Sequence, residues 1–178
     1  MIFKSASIPG VANVVTRPFQ DSRGELSKVF VSSAFQSHNF SHRVAEVFWS
    51  SSAKGVLRGM HYQDESAPQT KLVSVIQGEI YDVLLDMRRD SPTFGQTVAQ
   101  KIDSMSGISV YVPHGVAHGF QVVSEFATTL YSVSSEFKED CELGVRFDSF
   151  GFQWPDPFPT VSKRDLRLPK FSDALRPL

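Results

Sequence analysis

Short apolar or alternating runs, each closed off by glycine or proline, set the tightest limit on what this chain can fold into. The runs are Val44–Ser50, Lys71–Ile76, Glu79–Met87, Thr97–Ile102, Ser109–Val112, Gly119–Val123 and Thr128–Ser134. Alternation of this kind sends successive side chains to opposite faces of an extended strand. Between the runs stand Lys54-Gly55, Gln77-Gly78, Ser91-Pro-Thr-Phe-Gly95, Ser106-Gly107 and Pro113-His-Gly115, the residue types that reverse a chain. Many short strands at such spacing predict a sandwich or barrel. No long helical periodicity runs through the middle of the chain, and short helices are expected only near Ser32–His38 and after Ser162. The expected fold is nearly all β. A proline-rich stretch, Trp154-Pro-Asp-Pro-Phe-Pro159, leads out of the barrel into a short charged tail.

With 178 residues and 41% apolar content, the expectation is one domain, 1–178, with a real core. A formal charge of −1 and the lack of any long Lys/Arg block argue against nucleic-acid or membrane-surface binding as the function. Cys141 stands alone and cannot form an intrachain disulfide, and Met1-Ile-Phe-Lys-Ser-Ala6 lacks the basic-then-apolar order of a signal peptide. No apolar run is long enough to span a bilayer. The expected location is cytoplasmic.

Two histidines carry the chemical signal. His118 ends Gly107-Ile-Ser-Val-Tyr-Val-Pro-His-Gly-Val-Ala-His118, which resembles the second metal-ligand motif of cupin barrels; His61, in Gly55-Val-Leu-Arg-Gly-Met-His-Tyr-Gln63, keeps the Gly and His of the first. Gln63 stands where that motif has a second His, and its usual Glu is missing. Zinc and iron sites draw on three or four protein ligands, so two imidazoles alone make a poor metal site. The pattern points to acid–base chemistry by a neutral imidazole, with no metal and no cofactor.

A more specific resemblance covers nearly the whole chain. Asp21-Ser-Arg-Gly24, Lys54-Gly-Val-Leu-Arg-Gly-Met-His-Tyr-Gln63, Lys71-Leu-Val73, Asp82-Val-Leu-Leu-Asp-Met-Arg88, Asp90-Ser-Pro-Thr-Phe-Gly95, Val112-Pro-His-Gly-Val-Ala-His-Gly-Phe120, Leu130-Tyr131 and Ser162-Lys-Arg-Asp165 occur in the order found in the dTDP-4-dehydrorhamnose 3,5-epimerase family, which they resemble. The resemblance implies a metal-free cupin jelly roll with a few short peripheral helices. It implies a homodimer that exchanges N-terminal strands and inverts C3 and C5 of dTDP-4-dehydro-6-deoxyglucose in deoxysugar biosynthesis. The keto group of such a sugar acidifies both neighbouring carbons, so inversion requires a base, an enolate stabiliser and an acid on the opposite face.

The family positions assign those tasks. His61 becomes the base, Asp165 the acceptor that orients it, Tyr131 the acid, and Lys71 with His118 the polarising groups at the keto oxygen. Arg23, Arg58 and Arg164 fall where the family holds or flanks the diphosphate, and Glu142 where it touches ligand. Arg164 replaces a family Lys. From the residues alone Asp165 also reads as part of a capping box with Ser162, Asp82 competes with it as the partner of His61, and a strand tyrosine is commonly core.

Around these positions the rim departs from the family. Its Gln-Asp-Asn-His-Ser stretch reads Glu46-Val-Phe-Trp-Ser50, its Glu is Lys28, Leu26 stands at the residue that packs on thymine, and Phe137 replaces one of its paired tyrosines. Glu46, Phe48, Lys28 and Gln63 therefore join the candidate substrate contacts. Neighbouring Phe48 and Trp49 must face opposite sides of their strand, and the sequence leaves open which one lines the cavity. Alternatives are a single-carbon epimerase, an enzyme for a CDP- or GDP-linked ketosugar, a non-catalytic sugar-nucleotide-binding cupin, and a metal-dependent cupin enzyme.

Overall fold

The computed structural model describes residues 1–174. In chain order its strands are β1 (Ile2–Ser5), β2 (Ala12–Val15), β3 (Phe19–Asp21), β4 (Gly24–Leu26), β5 (Glu46–Ala53), β6 (Val56–Gln63), β7 (Lys71–Gln77), β8 (Glu79–Asp86), β9 (Thr97–Asp103), β10 (Ile108–Val112), β11 (Val116–Val122), β12 (Phe126–Val133), β13 (Glu142–Gly144) and β14 (Thr160–Val161). Helices α1 (Ser32–Ser37) and α2 (Phe171–Ala174) are short, as are the 3-10 turns Glu139–Cys141 and Asp165–Arg167.

Hydrogen bonding orders the strands into a sheet β1-β2-β10-β7-β12-β5 and a second sheet β13-β6-β11-β8-β9, with β14 parallel to β6. This is the expected jelly roll. A core that includes Val73, Ile80, Leu84, Val110, Phe120 and Tyr131 fills the space between the sheets. Every residue of β11 is buried, because this strand is covered on both faces: a second cluster behind it joins Leu57, Met60, Val83 and Ala117 to Trp154 and its aromatic neighbours Phe147, Phe150 and Phe152. The proline-rich segment is thus a cover, tied down where Gln121 exchanges two hydrogen bonds with the Asp156 backbone (2.9 and 3.0 Å). Helix α1 covers the first sheet through Phe35, packed with Val14, Leu72 and Tyr111; full burial of such a ring contributes about 2 kcal/mol.

Five of the seven expected strands agree within two residues at each end, and β5 runs three residues further than expected, to Ala53. The last but one begins earlier than expected, at Val116, directly after the Pro113–Gly115 turn. Gly78 separates β7 from β8 at φ +75°, and a Cβ there would lie 2.0 Å from the Phe126 carbonyl oxygen, so only glycine fits. Strand β6, absent from the alternating runs, has a physical cause for its irregular pattern. Its pairing with β11 slips between His118↔His61 and Phe120↔Arg58, two residues against three, which is a β-bulge. Strict alternation would set Arg58 and His61 on opposite faces; the bulge lets both line the cavity.

Candidate active site

The cavity between the two sheets has a volume of about 770 Å³ and is lined by Glu46, Phe48, Arg58, His61, Gln63, Lys71, His118, Tyr131, Glu142, Arg164 and Asp165. All four expected catalytic residues lie on its wall, with seven of the nine expected substrate contacts. Arg23 and Lys28 do not. Arg23 stands in the exposed turn between β3 and β4, paired with Asp21, and Lys28 is exposed two residues beyond β4.

The bulge builds the surroundings of His61. It takes the Gly59 N–H out of the ladder, and that group donates to Asp165 Oδ2 at 3.2 Å. The other carboxylate oxygen of Asp165 lies 3.0 Å from His61 Nε2. Asp165 is held in turn by its own backbone N–H, which donates to Ser162 Oγ at 3.0 Å. Only half of the capping box forms: Ser162 Oγ accepts the Asp165 N–H, while the aspartate carboxylate turns away from the serine to Gly59 and His61. Burial raises the Asp165 pKa, but the hydrogen bond and charge of His61, the Gly59 N–H and Arg164 outweigh it and bring it to about 2. The carboxylate stays ionised, as an orienting acceptor must.

His118 forms a second dyad. Its Nε2 is 2.6 Å from Asp82 Oδ1, and both residues are buried. Asp82 is thereby the partner of His118 and not of His61. The sequence named the aspartate but not the pairing, because only the register of β8 against β11, Asp82 opposite Phe120, brings it beside His118.

Tyr131 enters from the opposite sheet. Burial raises its phenol pKa, with the Asp82 carboxylate adding to the rise and the Ser50 hydroxyl and Arg58 opposing it, so the phenol keeps its proton across the physiological range. Phe48 stacks on it, ring centroids 4.8 Å apart, which settles the aromatic pair: Phe48 lines the cavity, and Trp49 faces outward at 69% exposure. Ser50, not singled out from sequence, also lines this wall, two positions along β5 from Phe48. Lys71 reaches across from β7 and donates to the His61 carbonyl at 3.1 Å. Burial lowers its pKa to about 8, against a smaller opposing effect of Glu142; the amine remains mostly cationic at neutral pH.

The rim residues are tied to protein partners. Arg58 Nε donates to Ser52 Oγ at 2.9 Å. Glu46 accepts the Phe137 backbone N–H at 3.0 Å, so the two departures from the family pattern are joined. Gln63, with its amide turned to suit its neighbours, donates to the Ala67 carbonyl and accepts from the Lys138 N–H, both at 3.2 Å. Arg164 spans Glu142 at 2.9 Å and Asp165 at 3.2 Å. Among the described residues no three His, Cys, Asp or Glu side chains are grouped as metal ligands.

A jelly roll whose cavity sets a His–Asp dyad on one wall and a buried tyrosine and a desolvated lysine on the other has the form of a cupin-type enzyme. Residues 5–173 match the model of the family described as dTDP-4-dehydrorhamnose 3,5-epimerase. A curated enzyme of that name from Shigella flexneri is 36% identical over 171 residues, 94% of each chain. The structure is similar to that of a 3,5-epimerase from Legionella pneumophila in complex with dTDP-4-keto-L-rhamnose, with TM-score 0.90 and 29% identity over 95% of this chain and 92% of that one. It is equally similar to a 3'-monoepimerase from Streptomyces bikiniensis bound to dTDP-quinovose, with TM-score 0.89 and 31% identity over 95% and 87%. The chain belongs to the dTDP-4-dehydrorhamnose 3,5-epimerase family.

Proposed function

We propose that this protein inverts C3 and C5 of dTDP-4-dehydro-6-deoxyglucose. The observation that carries the reading is the placement of a dyad-held histidine and a protonated tyrosine on opposite walls of one cavity. His61 Nδ1 takes the proton from the carbon beside the keto group, and Asp165 stabilises the imidazolium. Charge moves onto O4, where Lys71 supplies a donor; His118, whose Nε2 is held by Asp82, can add a second through Nδ1 only as the imidazolium. Tyr131 then returns a proton from the opposite face, and the resulting phenolate and imidazolium reset through solvent. Arg58 and Arg164 supply guanidinium groups for the diphosphate. His61→Ala is expected to bind dTDP and lose turnover by about a hundredfold or more. Tyr131→Phe is expected to exchange the substrate hydrogens with solvent without inverting the carbon; a variant that still inverts at the wild-type rate would remove Tyr131 as the acid.

The stacking of Phe48 on Tyr131 favours a second reading within the same chemistry, inversion at one carbon only. A ring without a hydrogen-bond donor covers the acid and limits how far the ketosugar can tilt to present its second carbon.

We infer that residues 1–178 form one catalytic unit that works as a cytoplasmic homodimer. No described helix is long and apolar enough to cross a membrane. Phe19 and Leu26, opposite each other on the β3–β4 hairpin, are exposed, as are Val47 and Trp49 on the outer face of β5, and exposed apolar groups of this size suit burial against a second copy. In such a dimer the hairpin would carry Arg23 and Lys28 into the neighbour's cavity.

A further inference from the structure

Two contacts that exclude one another meet at His61 Nε2. Asp165 Oδ1 lies 3.0 Å from it and an Arg164 Nη2 3.1 Å. A neutral ring nitrogen carries either a hydrogen or a lone pair. The carboxylate, an acceptor only, needs the hydrogen; the guanidinium, a donor only, needs the lone pair. With Arg164 bonded, the ring proton sits on Nδ1. With Asp165 bonded instead, it sits on Nε2, and Nδ1 presents a lone pair. Nδ1 has no hydrogen-bond partner among the described residues, and His61 lines the cavity, so only the second tautomer places a base there.

Burial does not fix Arg164. Its side chain is 58% exposed, with Nη1 2.9 Å from Glu142 Oε2 and Nε 3.2 Å from Asp165 Oδ1. A diphosphate suits the same guanidinium fork and competes with all three contacts for its donors.

We propose that Arg164 is a positioning residue that gates the base. In the free protein it holds a fraction of His61 in the Nδ1–H tautomer. A bound nucleoside diphosphate draws the guanidinium off Nε2, which then donates its hydrogen to Asp165 and leaves Nδ1 ready to accept a proton. One proton changes ring nitrogen through solvent, and no bond to carbon is involved. The inference takes only the ligand's identity from the epimerase reading. It goes beyond a phosphate contact, because loss of Arg164 alters His61 with no ligand present.

The test is nitrogen NMR of protein labelled with 15N-histidine, with His61→Asn identifying the His61 signals and dTDP as the probe. Wild-type protein is expected to show Nδ1–H tautomer when free and to lose it at saturating dTDP. Arg164→Gln is expected to show the Nε2–H tautomer with and without dTDP, and Arg164→Lys, whose single ammonium cannot span the three contacts, to do the same. In turnover, Arg164→Gln should raise KM about tenfold while kcat stays within about threefold, the split expected when ground-state binding is lost. A wild-type tautomer indifferent to dTDP, or an Arg164→Gln spectrum identical to the wild type, overturns the gate. If wild-type protein fails to turn over the ketosugar while Arg164→Gln still shifts the tautomer, the substrate assignment falls and the gate is supported.

Discussion

The buried charges at Asp165 and Lys71 act on stability in opposite senses, which separates their roles. Asp165 has its folded pKa lowered from 3.8 to about 2, so its stabilising contribution is complete above about 4 and is lost as pH falls through 2. Asp165→Asn should therefore cost stability at pH 7, and the gap from wild type should close between about pH 4 and 2 in urea unfolding. Turnover should fall about a hundredfold or more, because the dyad no longer fixes the His61 tautomer. Lys71 has its folded pKa lowered from 10.5 to about 8, so below pH 8 the folded state bears a cost that is relieved as pH rises from 8 to 10.5. Lys71→Met should raise the Tm at pH 7 by about 2–4 °C, roughly 1 kcal/mol in a chain of this size, and abolish turnover. A lower Tm in this variant would show that the lysine supports the fold through its bond to the His61 carbonyl. Deprotonation of Lys71 should also give the wild-type rate a falling limb above about pH 8, which a pH–rate profile would report.

Elements differed in how far the sequence revealed them. Strands that obey period two, such as β7, β8 and β12, were legible, because one face is buried in the core and glycine or proline marks each end. Strand β6 was not, although it carries Arg58, His61 and Gln63: its bulge breaks the alternation that reading depends on. Strands β3, β4, β13 and β14, two or three residues each, are too short to show any period. Which residues line the cavity was largely legible through the resemblance, whereas their pairings were set by the fold. Asp82 with His118 and Glu46 with the Phe137 backbone both join positions far apart in sequence, as does Arg164 with Glu142. The β3–β4 hairpin is the element whose task lies outside its own chain in the proposed dimer. Mixing Arg23→Ala with His61→Ala protein, each inactive alone, should restore part of the activity as mixed dimers form; no recovery would place Arg23 outside its neighbour's site.

For the molecule as a whole, the two sheets act as two chemical walls. In the proposed reaction one brings the base, His61 on β6, with Asp165 from the 3-10 turn beside it, and the His118–Asp82 pair on β11 and β8; the other brings the acid, Tyr131 on β12, and Lys71 on β7. Inversion requires proton removal and return on opposite faces of the same carbon, and a sandwich with its cavity between the sheets supplies that separation by construction. Phe48 then bears on how many carbons can reach the acid in turn. The most direct test is to incubate dTDP-4-dehydro-6-deoxyglucose with the protein in heavy water and follow C3 and C5 by proton NMR. The account predicts deuterium at both carbons together with inverted configuration. Deuterium and inversion at one carbon would move the protein to the single-carbon reading, and no exchange at either carbon would contradict the acid–base account.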